Sequence, residues 1–279
     1  MNYHKLLLSG ITALKSSGDE EAENDARELL FFAENLDLSS YAFRMNESVP
    51  SGRTEAYMEL IRRRCSHEPL QYITHTAHFY GYDFYVDQSV LIPRYDTETL
   101  VNAVEPFLKP GMRLLDLCTG SGCILLSLLK EKEGLGLLGT GSDISGAALV
   151  TAEKNAEKLG VCAKFILSDL FAKIDGTYDI ITANPPYIRT DESEGLAQEV
   201  RLYEPPMALY ADGDGLSFYR KIIGGAVGRL KSGGILAFEI GCSQKEEVVF
   251  LMQKAGFETV SVRKDLTGRD RVVIGGLND

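Results

Sequence analysis

The sequence predicts an α/β protein: a doubly wound, mostly parallel seven-stranded sheet with one antiparallel strand, preceded by a small helical N-terminal domain and a β-hairpin linker. Three observations predict it. Apolar residues recur at three- and four-residue spacing through most of the first 73 residues, the texture turns aromatic and β-branched across 74–93, and short apolar runs alternate with helical patterns from 94 to 279. Alternation of this kind calls for parallel strands joined by right-handed helical crossovers, with both faces of the sheet covered.

Each element has its own signal. In the first domain the helical spacing runs through residues 6–14, 26–36 and 57–61, with Ser17 and Ser51 placed as N-caps. In the linker, His78-Phe79-Tyr80 and Phe84-Tyr85-Val86 flank a turn at Gly81-Tyr82-Asp83. Asp96-Thr97-Glu98 is placed to cap a helix that runs to residue 108, before Pro110-Gly111. Strands follow at 114–117, up to Asp143, and at 164–167, 179–182, 235–239, 259–262 and 271–274; helices fall at 122–132, 145–158, 216–230 and 243–255. Only a short Leu266-Thr267-Gly268 turn separates the last two strands, so they must form a hairpin and the last one must run backwards.

Composition narrows the function. Hydrophobic residues make up 44% of the 279 positions, enough for a sizeable core, and the formal charge of −11 repels phosphate backbones. A nucleic-acid substrate is therefore not expected. The dense basic run Arg62-Arg63-Arg64 reads as a solvated helix face. Five cysteines without a C-x-x-C pair fit neither a disulfide framework nor a zinc ribbon. No stretch approaches the ~20 apolar residues of a membrane span, and Leu6-Leu7-Leu8 is too short for a signal peptide. The expectation is a cytoplasmic protein without a metal.

A ligand site can be read at the strand ends. Asp116-Leu-Cys118-Thr119-Gly120-Ser121-Gly122 closes one strand and opens a helix, and glycines there admit a close ligand and unusual backbone angles. The third glycine of the dinucleotide fingerprint would fall at Leu125, which argues against a dehydrogenase. Asp143 ends the next strand, where a carboxylate accepts hydrogen bonds from ribose hydroxyls. Asp169 is placed to accept a hydrogen bond from an exocyclic adenine amine, with Leu170 or Phe171 packing on the ring; capping of the following turn is the plainer reading of Asp169.

Asn184-Pro185-Pro186-Tyr187 follows the fourth strand and carries the chemistry. Two prolines stiffen the segment and keep its carbonyls out of a sheet ladder, so the Asn184 side-chain oxygen and the Pro185 carbonyl become two fixed acceptors. An amide nitrogen is a poor nucleophile because its lone pair is delocalised, as the ~18–20 kcal/mol rotation barrier shows. Two acceptors gripping both N–H bonds of an NH₂ group would favour charge building on that nitrogen. No general base is then required, and the four histidines all lie within the first 78 residues. Tyr187 offers a flat face to a planar target.

Taken together, Glu68-Pro-Leu-Gln-Tyr72-Ile73, Phe79-Tyr80-Gly81, Ile92-Pro-Arg94-Tyr-Asp96-Thr-Glu98, the segments 116–122 and 184–187, and Asp265-Leu-Thr-Gly268-Arg-Asp-Arg271 resemble the PrmC/HemK family of bacterial protein-glutamine methyltransferases. That resemblance implies a class I methyltransferase-type fold, S-adenosylmethionine as cofactor, and peptide chain release factors as protein substrates, methylated on the glutamine of a Gly-Gly-Gln motif. It implies that Asn184 and Pro185 grip the glutamine amide, that Pro186 and Tyr187 complete the catalytic segment, and that residues 118–122, Asp143, Asp169, Leu170 and Asn184 contact the cofactor. It also places Arg94 at the entrance, gives the helical domain a part in recognising the release factor, and goes with an expected monomer. Where this chain has Tyr95 the family usually has proline, and many related enzymes have glycine in place of Cys118. The Asn184–Tyr187 segment is shared with DNA-adenine and RNA-guanine methyltransferases, so nucleic-acid amine methylation is one alternative. A ribosomal-protein glutamine is another, although that sister group, which resembles this chain at the proline-arginine segment, normally lacks the Asp96-Thr-Glu98 continuation. A third is a module that holds the cofactor without turnover, against which intact Asn184 and Asp143 count.

Overall fold

A computed structural model describes residues 1–277, which divide into two compact units. The first comprises Met1–His75 together with Ala197–Tyr203, and the second Thr76–Leu196 with Glu204 onward.

The first unit is helical: Tyr3–Ser16, Ala22–Glu34, Leu38–Arg44, Ser51–Cys65, Leu70–Thr74 and the short Gln198–Tyr203. Leu6, Leu14, Leu29, Leu30, Tyr57 and Ile61 form its core. Gly10 is required there, since a Cβ would lie 2.0 Å from the Tyr57 hydroxyl. Three expectations need correction. Ser17 ends the first helix instead of capping the second, and Ser51 lies one residue inside a helix whose N-cap is Pro50. The arginine run is not a uniformly solvated face. Arg62 is exposed and pairs with Glu59, but Arg64 is partly buried between Asp19 (3.0 Å), Asp25 (2.6 Å) and Glu199 (3.0 Å), and so ties segment 197–203 to the helices.

The second unit begins with the hairpin β1 (Ala77–Phe79) and β2 (Tyr82–Phe84), which turns at Tyr80-Gly81, earlier than the Gly81–Asp83 expected. Its main sheet contains β3 (Arg113–Leu117), β4 (Leu138–Asp143), β5 (Ala163–Leu167) and β6 (Tyr178–Ala183). A small parallel pair follows, β7 (Ile188–Arg189) with β8 (Tyr210–Ala211), which the sequence pattern does not signal. β9 (Leu230–Glu239), β10 (Ser261–Lys264) and β11 (Asp270–Gly276) complete the sheet in the order β10-β11-β9-β6-β3-β4-β5. β11 is the one reversed strand, and it lies between β9 and β10 instead of at the edge. Apolar clusters cover both faces, as a doubly wound sheet requires.

The strand order places the site. β6 pairs with β3 and β9, so the ends of β3, β4 and β6 and the helix starts after them come together at one edge of the sheet. Asp116 sits inside this arrangement with no exposed surface, accepting from Thr119 Oγ1 (2.6 Å) and Thr182 Oγ1 (2.7 Å), which ties β3 to β6 and to the loop that follows β3. The Asn155 amide bonds the Ser121 and Tyr85 carbonyls, holding the same loop from the helix Gly146–Leu159.

Candidate active site

A cavity of ≈ 390 Å³ opens at these strand ends, lined by the loop after β3, the end of β4, the turn after β5 and the segment after β6. It brings together most of the expected residues: Cys118, Thr119, Gly120, Ser121, Asp143, Asp169, Leu170, Asn184 and Pro186 line it, and so does Arg94. Gly122, Pro185 and Tyr187 do not. Gly122 is buried at φ 80°, and a Cβ there would lie 3.0 Å from Leu126, so it serves helix packing. Gly120, at φ 53°, has open space where a Cβ would be, and its backbone N–H donates to Asp143 Oδ2 at 2.9 Å. A ligand can approach the backbone closely there.

Asp143 also accepts from Ser145 N–H at 2.9 Å. Each carboxylate oxygen keeps a second lone pair, so a bound hydroxyl can still be received. Burial raises this carboxyl above its ordinary range, against the two backbone donors. Cys118 occupies the left-handed region at φ 55° and its thiol is pushed up by burial. Leu170, at φ 45°, lines the cavity, whereas Phe171 packs into the core against Gly225. Of the two candidates for packing on a ring, only Leu170 faces the cavity.

The segment after β6 is buried at Pro185 and Pro186 and partly open at Asn184 and Tyr187. Asn184 Nδ2 donates to Thr97 Oγ1 at 3.4 Å, which leaves Oδ1 as the free end of the amide. Thr97 does not cap a helix with its side chain, as its sequence position suggests; its turn is 3₁₀ over Tyr95–Thr97, and the helix Glu98–Val104 begins after it. Its neighbours are also engaged elsewhere: Asp96 pairs with Arg271 (3.0 Å), and Glu98 accepts from the Tyr80 backbone N–H (2.8 Å). Tyr187 turns its hydroxyl to Glu239 at 3.4 Å, and burial followed by that carboxylate raises its pKa. Its carbonyl accepts from Gln244 Nε2 at 3.2 Å, fixing the segment's exit.

Sequence reasoning missed several wall residues: Thr97, Ile144, Met207, Tyr210 and Phe218. It also missed Glu204, whose buried carboxylate pairs with Arg94 and accepts from Ile92 N–H at 3.3 Å. Ile144, exposed and directly after Asp143, is the one with a signal, an apolar residue where a strand should already have given way to a turn. Among the described residues no group of His, Cys, Asp and Glu is placed to hold a metal. All five cysteines are free, and no described helix is long and apolar enough to cross a membrane.

Comparison with known proteins identifies the family and the fold. Residues 5–74 match the family model of the PrmC N-terminal domain, and residues 95–214 that of the methyltransferase small domain. A release factor glutamine methyltransferase of Cereibacter sphaeroides is 39% identical over 269 residues, covering 96% of this chain and 95% of that one. One from Clostridium acetobutylicum is 36% identical, covering 99% of this chain and all of its own. The solved structure of a methyltransferase from Pyrococcus furiosus, 20% identical, superposes with a TM-score of 0.54 over 71% of this chain and 90% of that one, a likeness of fold. With such identity over nearly its whole length, the chain belongs to the release factor glutamine methyltransferase family.

Proposed function

We propose that this enzyme transfers a methyl group from S-adenosylmethionine to the side-chain amide nitrogen of the glutamine in the Gly-Gly-Gln motif of peptide chain release factors. The observation that carries the proposal is the orientation of Asn184: its Nδ2 is engaged by Thr97, and its Oδ1 is left for the cavity that Gly120 and Asp143 also line.

The lining fits the cofactor. Gly120 offers an open backbone, Asp143 has spare acceptor capacity for ribose hydroxyls, and Ile144 and Leu170 give apolar surface for a flat base. When bound, S-adenosylmethionine supplies a methyl group on a positively charged sulfur. The chain's own residues do the rest. Asn184 Oδ1 accepts one N–H of the glutamine amide, and the Pro185 carbonyl, in the peptide that leads to cavity-lining Pro186, accepts the other. Both oxygens stabilise the positive charge that grows on nitrogen during transfer, and their fixed positions orient it. No side chain need remove a proton before attack.

The same reading assigns residues 1–73 to recognition of the release factor and has the enzyme act as a monomer in the cytoplasm. A net charge of −11 supports a protein substrate over nucleic acid. The test is incubation with methyl-labelled cofactor and, in parallel, release factor, ribosomal proteins, DNA and RNA. Label is expected in the release factor, on the peptide that contains Gly-Gly-Gln; label confined to nucleic acid or to ribosomal protein would overturn the assignment.

A further inference from the structure

The catalytic corner has few handles of its own. Pro185 and Pro186 carry no backbone N–H, so once β6 ends at Ala183 the donors that hold the segment must come from elsewhere. One of them is the side chain of Gln244, the residue just before the helix Lys245–Lys254. Its Nε2 donates to the Tyr187 carbonyl at 3.2 Å and to the Gly215 carbonyl at 3.4 Å. Its Oε1 accepts from the Gly241 backbone N–H at 3.0 Å. The same oxygen lies 3.3 Å from the Tyr219 hydroxyl, whose single hydrogen is shared with the Glu239 carbonyl at 3.1 Å. The backbone closes this turn as well, because Gln244 N–H donates to the Gly241 carbonyl at 2.9 Å.

These partners leave the amide one orientation. A backbone N–H can only donate and a carbonyl can only accept, so turning the amide over would set NH₂ against N–H and oxygen against two carbonyls. Glycine lets the chain close around it. A Cβ at Gly215 would lie 2.7 Å from the Tyr187 oxygen and 2.9 Å from Gln244 Nε2, and one at Gly241 would lie 2.9 Å from Gln244 Oε1. Tyr187 and Gly215 bound the stretch 188–214, which supplies Met207, Tyr210 and Asp212 to the cavity wall. We infer that Gln244 is a positioning residue. With one NH₂ group it pins the exit of the Asn184–Tyr187 corner to the base of that wall stretch, so that the corner's two oxygens and the wall keep a fixed relation. The inference rests on the glutamine-methylation reading, which makes the corner catalytic. Gln244 itself does not line the cavity and acts only through Tyr187 and Gly215.

Steady-state methylation of a release factor, cofactor titration and the NMR signal of the Tyr187 carbonyl carbon together test this. Gln244→Met keeps the length and removes both donors. Gln244→Glu keeps the acceptor oxygen and sets a second oxygen against the two carbonyls. Gly215→Ala leaves Gln244 in place but forces the Tyr187 carbonyl away. In each variant kcat should fall roughly ten- to a hundredfold, as expected of a small misplacement at the reacting centre. The cofactor dissociation constant should hold, because the bonds of Asp143 to Gly120 and Ser145 do not involve Gln244. The carbonyl signal should shift in all three. Gln244→Met combined with Gly215→Ala should be no slower than the worse single variant, since both break one contact. A shifted signal with unchanged kcat, an unshifted signal in Gln244→Met, cofactor affinity that falls as far as kcat, or additive losses would each overturn the inference. Should Gln244→Met fail to fold, the other two variants decide by the same readouts. Should the wild-type protein methylate no release factor, the proposed function fails, while the carbonyl signal still reports whether Gln244 holds Tyr187.

Discussion

The two ends of the cavity are built in different ways. The end that carries Gly120 and Asp143 is local: a strand, a tight loop and a helix start, with the Asp143 carboxylate bonded to backbone N–H groups of its own neighbour Ser145 and of Gly120 on the adjoining strand end. The end that carries Asn184 is assembled from afar, since Thr97 lies 87 residues away in sequence and Glu239 lies on a different strand. Local backbone geometry suffices where a ligand's shape and ribose hydroxyls are to be recognised. A transition-state contact needs a chosen atom at a chosen point, and side chains from several segments are required to select it.

Substitutions at the two ends should therefore fail differently. The largest effect is expected at Asn184→Ala, with turnover down by roughly two or more orders of magnitude, as for the loss of one preorganised transition-state contact, and little change in cofactor dissociation constant. Equal turnover would remove the distinction between the ends. Next comes Asp143→Ala, where loss of charged hydrogen bonds worth ~1.5–3 kcal/mol should weaken cofactor binding about ten- to a hundredfold in a calorimetric titration, with kcat at saturation far less affected. An unchanged dissociation constant would take Asp143 out of the cofactor end.

A smaller effect sharpens how the two ends are joined. Asp116, between β3 and β6, has its carboxyl raised to about 7 by burial, against the two threonine donors. An unfolded aspartate titrates near ~3.9, so between about pH 4 and 7 the folded protein keeps a proton that the unfolded chain gives up. Stability from this group falls as pH rises through that window and is level above it. The melting temperature of wild type minus that of Asp116→Asn should accordingly fall from about pH 5 to about pH 7 and then flatten. A flat difference would mean Asp116 ionises normally. The smallest effect is Cys118→Gly, which removes a side chain from a left-handed position that costs an ordinary residue ~1 kcal/mol. Unfolding stability should change by no more than about that amount, against glycine's greater unfolded-state freedom, and cofactor binding should persist.

The same contrast explains what could be read from the sequence. The seven strands of the main sheet and the loop 118–121 are legible because apolar periodicity and glycine placement are local properties. Asn184 is legible because two prolines after it announce a stiff corner. Its partner Thr97 is not, because within its own stretch it looks like a cap, and only the folded chain, which brings it to 3.4 Å from Asn184, shows where its side chain goes. Arg64 is hidden for a related reason: three arginines in a row look solvated until Asp19, Asp25 and Glu199 converge on one of them. Ser17 fails because a serine is equally at home just past one helix or just before the next. The pair β7–β8 has no signal, since two-residue strands carry no period.

The most direct test of the central claim is a structure of the enzyme with a demethylated cofactor product and a peptide containing Gly-Gly-Gln. Asn184 Oδ1 and the Pro185 carbonyl should each lie roughly 3 Å from the glutamine amide nitrogen. An amide held by other groups, with Asn184 presenting Nδ2 to the cavity, would contradict the account.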